Sequence, residues 1–358
     1  AMWQKRQKRP LSAGLVLGCA AAALVVGGVV FAWAHFAHSV WTQSQHVLHN
    51  VTRRAASCNG DEGLMDWVIK GGGSAPKVAF GEFAFLDETA AGQHKGPGSV
   101  KDNIRTRRGL RATKPIAKDE VMITVPFKFI MGVHSKSAIS ELVEKENAEG
   151  RFQDDFDILS LLLLYERNNP PSAFDHYICT LPKEFTTPIF WDKTELQEKA
   201  KDSPDLERWT EQRLQQWLAR YNKVYPPLSE AYPETFPRAL YTFDDYLWAA
   251  SAVLSRNWVV HRLDREDVPT EDPVSHILVP FADMINHDLT GGYLLSRNRR
   301  IEPLGRYVEV NKTSEEFYVL AGREYAKGDE LMLSYGDKCA LHFVLDYGFA
   351  PKTDTPCG

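Results

Sequence analysis

DMINHD, residues 283–288, and ELMLSYGDKCALHFVLDYGF, residues 330–349, place an Asn-His pair and two Tyr-Gly dipeptides in the last quarter of a 358-residue chain. An amide, an imidazole and phenols can orient and hydrogen-bond a ligand. Taken singly they specify no reaction: His287 reads as a core histidine and Tyr335 as an ordinary strand-end tyrosine. A second group, His35, His38, His46 and His49, stands at offsets 0, 3, 11 and 14. On a continuous helix all four fall within about 80° of arc, with the two pairs roughly 16 Å apart along the axis. One ion cannot reach them all, and each pair could hold a metal only with ligands from elsewhere. Polar residues facing a membrane interface or a partner are the simpler reading. Cys19, Cys58, Cys179, Cys339 and Cys357 are scattered and never spaced C-x-x-C. That excludes the common zinc clusters and gives no disulfide framework. A pairing such as Cys58–Cys357 cannot be resolved from spacing, a reducing compartment is preferred, and no metal site is expected.

The elements that must position these residues belong to an ordinary globular composition, 44% hydrophobic and 25% charged, with room for one large or two small domains. A formal net charge of −5 argues against a dedicated nucleic-acid binder. From Pro10 to Thr52 there is no Asp, Glu, Lys or Arg, and residues 11–37 read LSAGLVLGCAAAALVVGGVVFAWAHFA. This exceeds the roughly 20 apolar residues needed to cross a bilayer and predicts a single-pass transmembrane helix, with the lipid bilayer as a partner. Lys5, Arg6, Lys8 and Arg9 precede it, so the short N-terminus is expected on the side of synthesis or import and the rest across the membrane.

Residues 38–95 read as a connector, broken by GGG at 71–73 and GQHKGPG at 92–98. VMITVP, residues 121–126, is a β-branched run closed by proline and predicts a strand. Residues 134–250 change character. FDILSLLLLYERNN has helical length, and Leu214, Trp217, Leu218 and Tyr221 follow the i, i+3, i+4, i+7 pattern of an amphipathic helix. Strand patterns return in HILVPFADMI, RYVEV, EFYVLAG and ELMLSYG. A β part is interrupted by a helical part and then resumed.

With this order in view, DMINH followed by GREYAKGDELMLSYGDK and LDYGF resembles the SET domain, the fold of S-adenosylmethionine-dependent protein methyltransferases. More narrowly it is similar to the Rubisco large-subunit methyltransferase class, in which a helical insert splits the domain. RRGLRATKPIAKDEVMITVP resembles that class's opening strand and turn, HYICTLPKEFTTPIFWDKTEL its insert, and ASAVLSRNW its arginine-bearing helix. The resemblance covers about residues 98–350. It implies an α+β, SET-type β fold split by a helical insert: residues 96–133 as the first half, 134–250 as the insert, 251–358 as the second half, after the anchor (1–37) and connector (38–95).

The resemblance also implies roles. Tyr335 is the catalytic tyrosine. Asn286 and His287 hold the cofactor, S-adenosyl-L-methionine, Arg256 meets its carboxylate, and Arg108, Gly109 and Leu110 form the strand beside it. Tyr347 and Phe349 wall the cofactor and the acceptor channel. The chemistry suits these residue types, because displacement from a sulfonium needs a neutral amine held in line rather than a metal or a His-Asp pair. The implied function is a membrane-anchored protein-lysine N-methyltransferase acting on a protein substrate. Three departures favour an alternative, a catalytically inactive SET-fold accessory subunit of a membrane complex. Arg107 stands where the class has a glycine, Ala340 lacks the class's amide side chain, and the class's C-terminal helical lobe is not among these residues. The expected location is an organelle membrane, the mitochondrial inner membrane ahead of the endoplasmic reticulum.

Overall fold

A computed structural model of the protein describes residues 58–86, 104–201, 203–261, 274–288, 308–311, 316–351, 353 and 355–357. The apolar run 11–37 and the histidines at 35–49 lie outside the described residues. Among the described residues no helix is long and apolar enough to cross a membrane.

The chain opens with α1 (Gly60–Lys70), whose acidic first turn and Lys70 in the last turn suit the helix dipole, and which buries Leu64 and Val68, one turn apart. β1 (Val78–Leu86) pairs antiparallel with β2 (Ile104–Ala112) along its whole length, Val78 opposite Ala112 and Leu86 opposite Ile104. The segment read as a connector therefore contributes a helix and a paired strand. Sequence reading missed them because the glycines at 71–73 mark only the turn between the two elements. β3 (Val121–Pro126) is the expected VMITVP strand.

Helices follow without an intervening strand: α2 (Ser140–Ala148), α3 (Asp155–Asn168), the short α4 (Asp175–Ile178), α5 (Lys193–Lys199), α6 (Pro204–Ala231) and α7 (Phe243–Arg256). Asp154 caps α3 by accepting from the backbone N–H groups of Phe156 and Asp157. A reciprocal Thr242–Asp245 capping box starts α7. Both helices are buried on most faces, with Leu159, Leu161, Leu163, Leu247 and Val253 in the core, and they pack on each other.

β4 (Asn257–His261) pairs antiparallel with β5 (Val274–Leu278). β6 (Asn286–His287), β7 (Val308–Asn311), β8 (Glu316–Leu320) and β9 (Met332–Leu333) complete the strands. They form a three-stranded sheet in the order β3-β8-β7 and a parallel β6–β9 pair. α8 (Ala340–Tyr347) ends at Gly348, whose φ of 82° is the left-handed closure that glycine adopts freely. The second half thus returns to pair with the first across the helical insert, Val121–Pro126 against Glu316–Leu320.

The cysteines correct an expectation. Cys58 pairs with Cys179 and Cys339 with Cys357, as disulfides, across sequence separations of 121 and 18 residues. Long-range folding sets these pairs, so their spacing carries no signal.

Candidate active site

The site is built on the parallel pairing of β6 with β9, Asn286 opposite Met332 and His287 opposite Leu333. Two residues beyond β9, the backbone N–H of Tyr335 donates to Nδ1 of His287 at 3.0 Å, and its phenol donates to the carbonyl of Ile285 at 2.8 Å. Because Nδ1 accepts, the neutral ring carries its proton on Nε2. Burial lowers the His287 pKa to about 4, so the ring is neutral at physiological pH.

The first half of the fold reaches this pair through β2. The carbonyl of Leu110 accepts from Leu331 N–H at 2.7 Å, and Glu330 lies opposite Arg111. Asn286 Nδ2 donates to the carbonyl of Arg108 and to Glu330 Oε1, both at 2.8 Å. A Cβ at Gly109 would lie 2.6 Å from Asn286 Nδ2 and 2.9 Å from Glu330 Oε1. Glycine is needed here for close approach, not for an unusual φ. The Arg108 guanidinium is held by Asp61 at 2.7 Å and by the Thr180 carbonyl at 3.0 Å. Leu110 is fully buried in the core.

An aromatic wall closes the other side. The rings of Tyr335 and Tyr347 lie 4.9 Å apart, His287 stacks on Phe343 at 4.6 Å, and Phe349 lies 6.1 Å from His287. Sequence reasoning named Tyr347 and Phe349 but missed Phe343, which sits one helical turn before Tyr347 on α8. Lys338 Nζ donates to Asp346 at 2.9 Å and to the Tyr347 phenol at 3.1 Å, and Arg213 of α6 grips the other Asp346 oxygen at 2.9 Å.

At the inner end, Arg256, Asn257, Trp258, Asp283, Tyr335 and Tyr347 line a small cleft. Arg256 is half-buried, with its nearest carboxylate, Asp283 Oδ2, 3.4 Å from Nη1. Tyr177 donates its phenolic hydrogen to the same oxygen at 2.6 Å. Burial raises the Asp283 carboxyl above the usual carboxylate range, with Arg256 opposing, and drives the Tyr177 phenol well upward. Phe281 precedes this turn with φ 71° and ψ −46°, a costly conformation for a residue with a side chain. Its buried ring packs edge-on against Phe80 at 5.4 Å. Tyr177 gave no sequence signal, being 106 residues from its partner.

The departures read differently in three dimensions. Arg107 occupies a regular β2 position opposite Phe83, and its guanidinium forms two hydrogen bonds to Glu330, at 3.1 and 2.9 Å. It needs no positive φ. Ala340 is the first residue of α8, where no side-chain amide is required to start the helix.

The residues fit a polar, cationic ligand. Arg256 Nε, Asp283 Oδ1 and His287 Nε2 are buried without hydrogen-bond partners, groups a molecule with amino, carboxylate and ring-nitrogen functions can satisfy. The cluster of rings can stabilise a positive sulfur.

Comparisons with known proteins agree with this geometry. Residues 107–336 match the SET domain family. The chain is 29% identical over 260 residues to the actin-histidine N-methyltransferase of Danio rerio, covering 67% of this chain and 37% of that protein. It is 27% identical over 254 residues to the Homo sapiens protein of the same name. The chain thus spans under two fifths of the length of these relatives. A structure of the SET domain of LSMT bound to lysine and AdoHcy superposes with a TM-score of 0.58 at 20% identity, covering 81% of this chain and 57% of that one. Rubisco LSMT bound to AdoMet gives 0.53 at 19% identity. The chain belongs to the SET domain family, and its fold is the α+β SET fold.

Proposed function

We propose that this chain is an S-adenosyl-L-methionine-dependent protein N-methyltransferase. The observation that carries this reading is the convergence of Tyr335, Asn286 and His287 through the β6–β9 pairing, beside the Gly109 close approach. When bound, the cofactor supplies an electrophilic methyl group on a sulfonium. Asn286, His287 and the strand at Gly109 would hold it, and the ring wall would exclude water.

The protein's own groups prepare the acceptor. Tyr335 donates its hydroxyl proton to the Ile285 carbonyl, which fixes the phenol and leaves its oxygen able to accept a hydrogen bond. A lysine acceptor, with an ordinary pKa near 10.4, must lose a proton before attack, and a desolvated cleft favours the neutral amine. Lysine is the acceptor that the resemblance to the Rubisco large-subunit methyltransferase class implies. The names of the similar actin-histidine enzymes favour a second reading, a histidine nitrogen, which is largely neutral near pH 7 without such help.

The apolar run 11–37 is proposed to anchor the unit in an organelle membrane, mitochondrial or endoplasmic-reticular. A silent accessory subunit loses two of its motives, since Arg107 and Ala340 fit the fold without strain. The test is transfer of labelled methyl groups to protein acceptors, with amino-acid analysis of the product. Methyl-lysine or methyl-histidine formed by wild type and not by Tyr335→Phe is expected. Equal labelling by both proteins would refute the assignment.

A further inference from the structure

We infer that Cys58–Cys179 and Cys339–Cys357 are closed crosslinks that position the methyl-donor site, and that this unit is built to work in an oxidising compartment. The positioning half rests on the methyltransferase reading above; the crosslinks themselves do not. Cα separations of 5.7 and 5.2 Å place both pairs within the range a disulfide requires. Disulfides persist in secretory and other oxidising spaces and are reduced in the cytosol. Two such pairs formed by residues remote in sequence argue for the former environment.

Each bridge ends beside a group that holds the site. Cys58 lies just before α1, whose Asp61 accepts from Arg108 Nη1 at 2.7 Å. Cys179 immediately precedes Thr180, whose carbonyl accepts from Arg108 Nη2 at 3.0 Å. The first bond therefore joins the two segments that grip one guanidinium. The carbonyl of that same Arg108 receives Asn286 Nδ2 at 2.8 Å, next to Gly109. The second bond acts from the opposite side. Cys339 is the N-cap of α8, which carries Phe343 and Tyr347, and it follows Lys338, which donates to the Tyr347 phenol. The tail returns to Cys357 past Thr353, whose hydroxyl reaches the Lys338 carbonyl at 3.5 Å. It pins the link between Tyr335 and α8. One bridge steadies the strand side of the pocket, the other its ring wall.

The experiment has two arms, both on the full-length chain. Thiols are trapped by alkylation in intact cells, and the purified protein is mapped by mass spectrometry without reduction. Linked peptides joining 58 to 179 and 339 to 357 are expected; alkylated cysteines at these four positions would overturn the proposal. In the second arm, S-adenosylhomocysteine is titrated calorimetrically into the oxidised protein, Cys58→Ala/Cys179→Ala and Cys339→Ala/Cys357→Ala. About a tenfold rise in Kd is expected in each pair variant, as preorganisation is lost. Should a variant not fold, mild reduction of the folded wild type gives the same readout. Unchanged Kd after both bonds are removed would overturn positioning. Linked peptides together with no binding by oxidised wild type would sink the methyltransferase reading and the positioning role, while establishing the crosslinks.

Discussion

Tyr335 and His287 are joined by a backbone-to-ring hydrogen bond of 3.0 Å, and their rings lie 5.0 Å apart. The bond fixes the tautomer of His287 and ties the backbone of Tyr335 to its ring. The phenol's own bond to the Ile285 carbonyl then aims its oxygen at the cleft. Replacing Tyr335 with Phe keeps the ring and removes that oxygen. Turnover should fall by about two orders of magnitude or more, while stability changes by about 1 kcal/mol. Steady-state kinetics and chemical denaturation of the variant check both halves. Near-normal kcat would show that the oxygen has no part in transfer.

Acid should weaken the fold through His287. Unfolded, the ring titrates near its ordinary 6.5; folded, it titrates at about 4. Between these values the unfolded chain binds more protons, so stability rises with pH across that window and is lost as pH falls from 6.5 towards 4. Burial lowers the pKa of His276 as well, adding a loss of the same sign. His287→Gln, which keeps an acceptor for the Tyr335 N–H, should flatten the profile over this interval. Parallel wild-type and variant curves in urea denaturation from pH 4.5 to 7 would contradict this.

Gly109 separates binding from stability. An added methyl meets the outer atoms of Asn286 and Glu330, which can swing aside. Gly109→Ala should therefore cost only about 1 kcal/mol of stability, yet break the Asn286 bonds to Arg108 and Glu330. Donor affinity is expected to drop about tenfold, a change of about 1.4 kcal/mol. Calorimetry alongside thermal melts distinguishes the two effects.

Arg220 on α6 tests how the insert is held. Its guanidinium bonds Asp154 at 2.9 and 2.8 Å and the buried Asp157 at 2.8 Å. Arg220→Ala leaves the Asp157 charge buried without this partner, which should cost about 3 kcal/mol. Arg220→Lys should recover only part, because an ammonium cannot reproduce the planar fork. Denaturant midpoints of the three proteins give the comparison.

Much of this design was legible in the chain because local chemistry wrote it. VMITVP, the α3 run and most of the strands after 276 carry period and length signals that the fold obeys, though HILVPFADMI leaves its strand at Leu278 and turns through a 3-10 helix at Ala282–Met284. The candidate site residues Asn286, His287, Tyr335, Tyr347 and Phe349 lie in two short stretches whose order marks the family. What escaped was long-range. β1 is recognisable only through its partner β2, and Tyr177 matters only because the insert delivers its phenol to Asp283. Glu330 looks like a surface carboxylate until β9 aligns it with Arg107 and Asn286. The cysteines show the same limit, since spacing says nothing about pairs closed by tertiary structure.

The most direct test is calorimetric titration of S-adenosyl-L-methionine into the full-length protein. A single-site isotherm with a dissociation constant roughly in the micromolar range, weakened in Asn286→Ala, is the expected result. No heat of binding up to millimolar donor would mean that the cleft lined by Arg256, Asp283, Tyr335 and Tyr347, beside the β6–β9 pair, is not a methyl-donor site.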